Sequence, residues 1–397
     1  MKYLKDMVHS RLLIKNGHII TPEKEIKDGV LLIEDGKIKW LGEQKELIRD
    51  GEWQELDSKG KLILPGFIDL HIHGGGGAEV TDGLAGLEKI KQHLVRHGTT
   101  SFLITLPALS REETLFCLEE GVKSKNLPGA NILGFHLEGP YLNPRVARAQ
   151  RKAALRLPSW SEWQEIEEKF GKEIKIVTLA PEIPGAKELI AHLHGLGIVA
   201  AVGHSWASYE DIMEAVGQGL SYATHTFNAM KPFHHREPGL IGAILTCEKI
   251  YTEVIVDLVH LHPATINLML KVKGWDKVIL VTDAMRAAGM PEGEYLLTGE
   301  KVTVTAGAVR LPNGTLAGSV LTLNRAVANL VNMGFPLNQT LRLATLNPAQ
   351  VLGISHLKGS LEIGKDADLV IMSPELEVDT TVIAGKVVFS REDLKDQ

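Results

Sequence analysis

The stretch Pro65-Gly66-Phe67-Ile68-Asp69-Leu70-His71-Ile72-His73 runs from an apolar segment into two histidines one residue apart. Side chains alternate faces along a strand, so His71 and His73 point the same way. Two imidazoles on one face are able to chelate one divalent metal. A His-x-His pair alone says little, and its position in the chain gives it meaning. Working outward, apolar strand candidates recur at 63–73, 99–106, 131–138, 174–181, 198–204, 222–225, 251–257 and 278–283. Amphipathic helical patterns lie between them, at 87–97, 112–123, 160–170, 186–196, 209–217 and 263–273, with a last helix at 323–332. Strand and helix alternating eight times predicts an α/β fold, a (β/α)8 TIM-like barrel over residues 61–350.

The ends of these strand candidates carry the chemistry. The third ends His136-Leu137-Glu138-Gly139-Pro140, the fifth Gly203-His204-Ser205, the sixth Thr224-His225-Thr226 and the eighth Thr282-Asp283-Ala284. In barrel enzymes the βα-loops gather at the C-terminal strand ends and build the active site there. His71, His73, Glu138, His204, His225 and Asp283 therefore form one candidate metal site on five strand ends. His136 shares the face of Glu138 and is placed to support it. Other histidines carry less: His192 and His194 diverge on a helix. His93 and His97 are four apart on a helix but lack a carboxylate partner. The glycine run 74–77 lacks the spacing and the following Lys-Ser/Thr of phosphate loops, and reads as a flexible loop.

Both ends of the chain have a different texture. Short β-rich runs at 12–15, 30–34 and 38–41 are punctuated by Asn16-Gly17 and Asp35-Gly36, strong hairpin signals. Runs at 359–363, 368–372, 380–383 and 387–389 repeat the texture, with a turn at Ala384-Gly385-Lys386. Residues 1–60 and 351–397 are thus expected to build one small β-sandwich domain from both termini. Residues 294–317 hold Thr298-Gly299 and Asn313-Gly314 turns and read as a β-hairpin insertion. At 397 residues with a net charge of −6, the chain suits a barrel of roughly 250 residues plus a companion domain. Scattered basic residues argue against nucleic-acid binding. Residues 1–17 lack the apolar core of a signal peptide, and no run approaches the roughly 20 residues that span a bilayer. Cys117 and Cys247 fit no metal spacing and read as free thiols, so a cytoplasmic location is expected.

The motifs at Pro65 to Gly77, His136 to Pro144, His225-Thr226-Phe227-Asn228-Ala229-Met230 and His235-Arg236-Glu237-Pro238-Gly239 resemble those of the N-acetylglucosamine-6-phosphate deacetylases of the amidohydrolase superfamily. The resemblance runs through nearly the whole chain. It implies Glu138, His204 and His225 as core metal ligands, a second ion at His71 and His73 bridged by Glu138, and Asp283 as catalytic aspartate. It also implies substrate contacts from Gln150, Asn228, the Ala229 backbone and His260, with Arg236 reaching across a homodimer into the neighbouring site. The implied cofactor is one or two divalent ions per subunit, zinc or iron, with cobalt or manganese also fitting the donors. The implied partner is a small amino-sugar phosphate, with no nucleic acid and no membrane. One departure stands out: where the family has Gly-Ala-His or Gly-Ala-Gln, this chain has Arg148-Ala149-Gln150. A galacto sugar, another N-acyl substrate, a cyclic amide or a non-catalytic scaffold are the competing readings. Cyclic-amide enzymes commonly bridge their metals with a carboxylated lysine on the fourth strand, which here ends Thr178-Leu179-Ala180-Pro181-Glu182.

Overall fold

The computed structural model describes residues 11–47 and 50–394. Residues 1–10, part of the stretch read for a signal peptide, lie outside them. Eight strands form a parallel sheet in chain order: Phe67–Asp69, Thr99–Leu106, Asn131–Glu138, Ile174–Leu179, Val199–Val202, Leu220–Ala223, Tyr251–Val254 and Val278–Leu280. Every neighbouring pair is hydrogen-bonded in parallel. Thr99–Leu106 is buried at every position, as a parallel strand covered on both faces should be. Its alternate residues enter different cores: Phe102, Ile104 and Leu106 pack into one cluster and Leu103 into another.

Helices start where the sequence supplies caps. Ser110 and Glu113 form a reciprocal capping box at the head of Arg111–Ser124, and Ser208 and Asp211 do so for Tyr209–Gly217. Helix Gly83–Arg96 buries Leu87, Ile90 and Leu94, spaced to lie on one face. Helices Gly239–Thr246, Leu337–Ala344 and Leu346–Val351 add to those expected. Among the described residues no helix is long and apolar enough to cross a membrane.

Several expectations change in detail. The candidate strand 63–73 breaks at Gly66. Leu62–Pro65 pairs with Leu369–Met372 and with Arg11–Ile20, so it belongs to the terminal sheet, while Phe67–Asp69 opens the central one. The residues 12–15 are part of a ten-residue strand, Arg11–Ile20, because Asn16-Gly17 makes a bulge in the ladder rather than a turn. The glycine run 74–77 is an ordered small hairpin, Gly74–Gly75 against Ala78–Glu79. A Cβ on Gly74 would sit 2.4 Å from the Ala78 carbonyl, and one on Gly75 2.5 Å from the His93 ring. These glycines serve close packing, not flexibility.

The termini meet in one eight-stranded sheet. In place of two stacked sheets, hydrogen bonding is continuous from Lys386–Ser390 through Leu62–Pro65 to Lys37–Glu43. The edge at Ile38 then bonds back to Gly364 and Lys365, so the sheet curls around Ile14, Leu31, Ile33, Ile63, Leu369 and Val382. The expected strand at 359–363 is irregular. Asp35-Gly36 and Ala384-Gly385 are two-residue hairpin turns with both residues at positive φ, as type I′ requires. The insertion near 294–317 holds four antiparallel strands, Gly293–Leu297, Glu300–Thr305, Ala308–Arg310 and Leu316–Ser319, rather than one hairpin.

Gly66 gives a sharp test of the junction between the two sheets. A Cβ there would lie 2.3 Å from the Thr100 side chain, whereas one on Gly195, at a helix end, would meet nothing within 4 Å. Gly66→Ala should lower stability by about 1–3 kcal/mol, while Gly195→Ala should be neutral or stabilising. Urea unfolding midpoints of the two variants check the contrast.

Candidate metal centre

The candidate residues lie on or just beyond the strand ends. Glu138 closes the third strand, and His204, His225 and Asp283 come two or three residues after the fifth, sixth and eighth. These last three adopt left-handed backbone, with φ of 47°, 30° and 48°. Such a conformation costs about 1–3 kcal/mol for a residue other than glycine, so the surroundings must hold it. Glu253 accepts the His225 backbone N–H at 2.8 Å. Asp283 donates its backbone N–H to the His71 carbonyl at 2.9 Å and accepts from Ser319 at 2.8 Å. Ile72 and Ala284 form a parallel bridge, so the ends of the first and eighth strands meet here.

Ring protons can be assigned from the partners. His73 Nδ1 lies 3.0 Å from the Thr105 carbonyl and His204 Nδ1 3.1 Å from the Val146 carbonyl. A carbonyl only accepts, so both rings donate through Nδ1–H and turn Nε2 inward. His71 does the same through Glu253, with Nδ1 2.9 Å from the carboxylate. The result is a crowd of Nε2 atoms: His71 and His73 are 3.1 Å apart, His204 and His225 3.2 Å apart. Two such lone pairs cannot satisfy each other.

Glu138 lies between these pairs, 2 % exposed. Its Oε1 is 2.9 Å from His225 Nε2 and 3.0 Å from His204 Nε2. Its Oε2 is 3.3 Å from His73 Nε2 and 3.8 Å from His71 Nε2. One oxygen for each imidazole pair is a bridging arrangement. Of three donor groups among the described residues, two adjoin this bridge, Glu138 with His204 and His225, and His71 with His73 and Asp283, the atoms of each within 4.8 Å of one another. The third, His71 with His136 and Glu253, lies on the Nδ1 side of His71. Inward lone pairs plus buried carboxylates suit a divalent cation in both halves. Burial works against ionisation of both carboxylates, yet the surrounding imidazoles outweigh it. Positive charge at the inward nitrogens, from ring protons or a cation in their place, holds Glu138 well below the usual range and Asp283 at about 2.

His136 is not a ligand in this arrangement. Its Nδ1 donates to the Leu70 carbonyl and its Nε2 accepts from Thr178, whose hydroxyl meets that of Thr224. Burial pushes its pKa down to about 4, so the ring is neutral. His93 and His97 pack ring to ring, 4.6 Å apart, away from this centre, and His192 pairs with Glu167.

A cavity of about 300 Å³ opens onto the cluster, and His73, Glu138, Gln150, His204, His225, Asn228, Ala229, His260 and Asp283 all line it. Gln150 donates to Glu138 Oε2 at 2.6 Å and accepts from the Ala108 N–H. Arg148 also lines the cavity and makes no hydrogen bond or ion pair with any described residue. Its φ of 54° explains why glycine is at home at this position. Arg236 does not line the cavity; it lies exposed beside His235.

Sequence reasoning missed three carboxylates. Glu253 backs His71, Asp257 holds His260 Nδ1 at 2.6 Å, and Asp69 accepts the Thr282 hydroxyl at 2.6 Å and the His71 N–H. Burial pushes Asp69 up to about 7. A charged residue inside an apolar run, as in Tyr251-Thr252-Glu253-Val254-Ile255-Val256-Asp257, was the signal available.

Comparison with known proteins identifies the family. The sequence model of the amidohydrolase family matches residues 62–388. The chain is 39% identical over 390 residues to N-acetylglucosamine-6-phosphate deacetylase of Bacillus subtilis, covering 95% of this chain and 97% of that one. It is 35% identical to N-acetylgalactosamine-6-phosphate deacetylase of Escherichia coli, covering 90% and 97%. The crystal structure of N-acetylglucosamine-6-phosphate deacetylase from Pasteurella multocida matches with a TM-score of 0.90 at 32% identity, covering 95% of this chain and 99% of that one. With a family match across most of its length and relatives spanning nearly all of it, the chain belongs to the amidohydrolase family.

Proposed function

We propose that the chain removes the acetyl group of N-acetylglucosamine-6-phosphate, giving acetate and glucosamine-6-phosphate in the cytoplasm. The observation that carries this reading is the meeting of Asp283 with the imidazole and carboxylate donors in one cavity, in a chain whose relatives bear that activity. The bridge between first and eighth strands supports a closed (β/α)8 barrel with this site at its mouth, and a small domain built from both termini beside it.

His71, His73, Glu138, His204 and His225 would hold one or two divalent ions, with zinc or iron the best matches to the donors. When bound, such an ion polarises the amide carbonyl and makes water a stronger acid. Asp283, ionised at neutral pH, takes the proton from the attacking water and returns it to the departing amine. Gln150 has one N–H committed to Glu138; its second is free to meet the substrate carbonyl. Asp257 fixes the ring of His260, which faces the cavity as a second polar contact. Asn228 and the Ala229 backbone, next to left-handed Phe227, form the phosphate side.

Arg236 acts on the phosphate of a neighbouring subunit in a homodimer. Its place on the exposed stretch 232–237, outside its own cavity, supports that reading. Arg148 bears on sugar preference, and the relative that acts on the galacto sugar makes N-acetylgalactosamine-6-phosphate the second substrate to test.

Acetate release measured on phosphorylated and unphosphorylated N-acetyl hexosamines tests the function, with metal content taken on the same sample. Turnover of the gluco phosphate should dominate; activity on none of them would remove the reading. Asp283→Asn should lower kcat by about 10²–10⁴-fold or more with the ion at Glu138, His204 and His225 retained, and near-full activity would exclude Asp283 as the base. Arg236→Ala should chiefly raise KM for phosphorylated substrate. Mixing Asp283→Asn with Arg236→Ala subunits should restore low-KM turnover, because the intact Asp283 then meets an intact Arg236 from its partner. No recovery in verified mixed dimers would place Arg236 elsewhere.

A further inference from the structure

We infer that Glu253 is a positioning residue that sets how tightly the His71/His73/Asp283 half of the centre holds its ion; this rests on the two-ion reading above. Glu253 is fully buried on the seventh strand and lines no part of the cavity. Its Oε2 accepts from His71 Nδ1 at 2.9 Å and from the His225 backbone N–H at 2.8 Å. Its own carbonyl accepts from Thr226 at 3.1 Å. One side chain thus grips the ring of a ligand in one half and the backbone of a ligand in the other.

The four imidazoles differ in what stands behind them. His73 and His204 lean on backbone carbonyls, and His225 Nδ1 has no hydrogen-bond partner among the described residues. Among these four rings only His71 is backed by a carboxylate. A carboxylate behind a ligating imidazole fixes its tautomer and raises its basicity, and losing one typically costs 10–100-fold in metal affinity. Charge points the same way. The second oxygen, Oε1, is buried with no partner at hydrogen-bond geometry among the described residues, only the neutral Tyr222 hydroxyl lying near the carboxylate, and a buried anion needs positive charge close by. A cation on the far side of the His71 ring supplies it. A purely structural Glu253, serving only the His225 backbone, would have no reason to engage the His71 ring.

The experiment uses purified holoprotein dialysed against graded EDTA, with ions per chain counted by elemental analysis. Wild type, Glu253→Gln and Tyr222→Phe are compared. Tyr222 is equally buried, and its hydroxyl lies near Glu253 without a hydrogen bond to a ligand ring. Wild type and Tyr222→Phe should each hold two ions to the same chelator concentration. Glu253→Gln keeps the shape but not the charge, and should release one ion at about 10–100-fold less chelator while the other follows wild type. Two ions retained at wild-type chelator concentrations would overturn the proposal. Loss of both ions together would mark a structural role and overturn it as well. Wild type carrying a single ion throughout would sink the two-ion reading, and the proposal with it; the wild-type measurement separates that failure from the other two.

Discussion

Glu138 divides its carboxylate between two pairs of imidazoles in a space nearly closed to water, and much of the surrounding structure follows from keeping that arrangement fixed. Buried carboxylates and inward nitrogen lone pairs are tolerable only if each group has a defined partner and a defined proton. Three of the four rings have Nδ1 committed to an acceptor, which leaves Nε2 no choice of role. The parallel sheet provides the floor. His136, Thr178 and Thr224 run as a buried chain of hydrogen bonds across the third, fourth and sixth strands. That chain holds these strands in register directly below the donors.

The loops above are tied with equal economy. Glu182, after the fourth strand, accepts from Asn143, from the Ser205 hydroxyl and from the Trp206 N–H. One carboxylate therefore links the loops that follow the third, fourth and fifth strands. At the other side, Ser319 of the inserted sheet bonds Asp283 and Thr282, so the insertion is anchored at the catalytic candidate itself. Left-handed backbone at His204, His225 and Asp283 is the cost of turning three side chains inward at the point where strands end.

The order of strands and helices was legible because parallel strands buried on both faces read as apolar runs, and amphipathic helices as a 3.6-residue period. The donors were legible because histidines and acids at the ends of such runs have few other uses. Errors came where one local signal has two meanings. Asn16-Gly17 and Asp35-Gly36 carry the same turn chemistry, yet only the second has strands that pair directly across it. Whether such a dipeptide makes a hairpin or a bulge depends on the partner strand, which local sequence does not name: both residues are left-handed at Asp35-Gly36, but only Asn16 is at the bulge. Likewise the run around Gly66 is apolar throughout, and the break appears only because Thr100 and the chain's far end crowd it. Glu253, Asp257 and Asp69 escaped notice for a related reason: each acts through a partner distant in sequence or hidden in a turn, and none points at the cavity as a ligand would.

The centre therefore has two zones with different physical demands. The floor is buried, hydrogen-bonded at most of its polar atoms and built on strand ends, so changing a partnered residue there leaves a charge or a donor stranded. The lip is built from loops and the inserted sheet, through Arg148, Thr298, Thr315 and Leu316, and faces solvent. Arg148 holds a side chain in a backbone conformation that favours glycine, at the mouth rather than the floor, and without a partner among the described residues. A residue in that position is able to alter which substrates enter while leaving the donors untouched. Relatives that share this architecture bear names for both gluco and galacto sugars. Such diversity is what a fixed floor with a variable lip allows: chemistry constrained by partnered buried charge, and selectivity left to the groups that water still reaches.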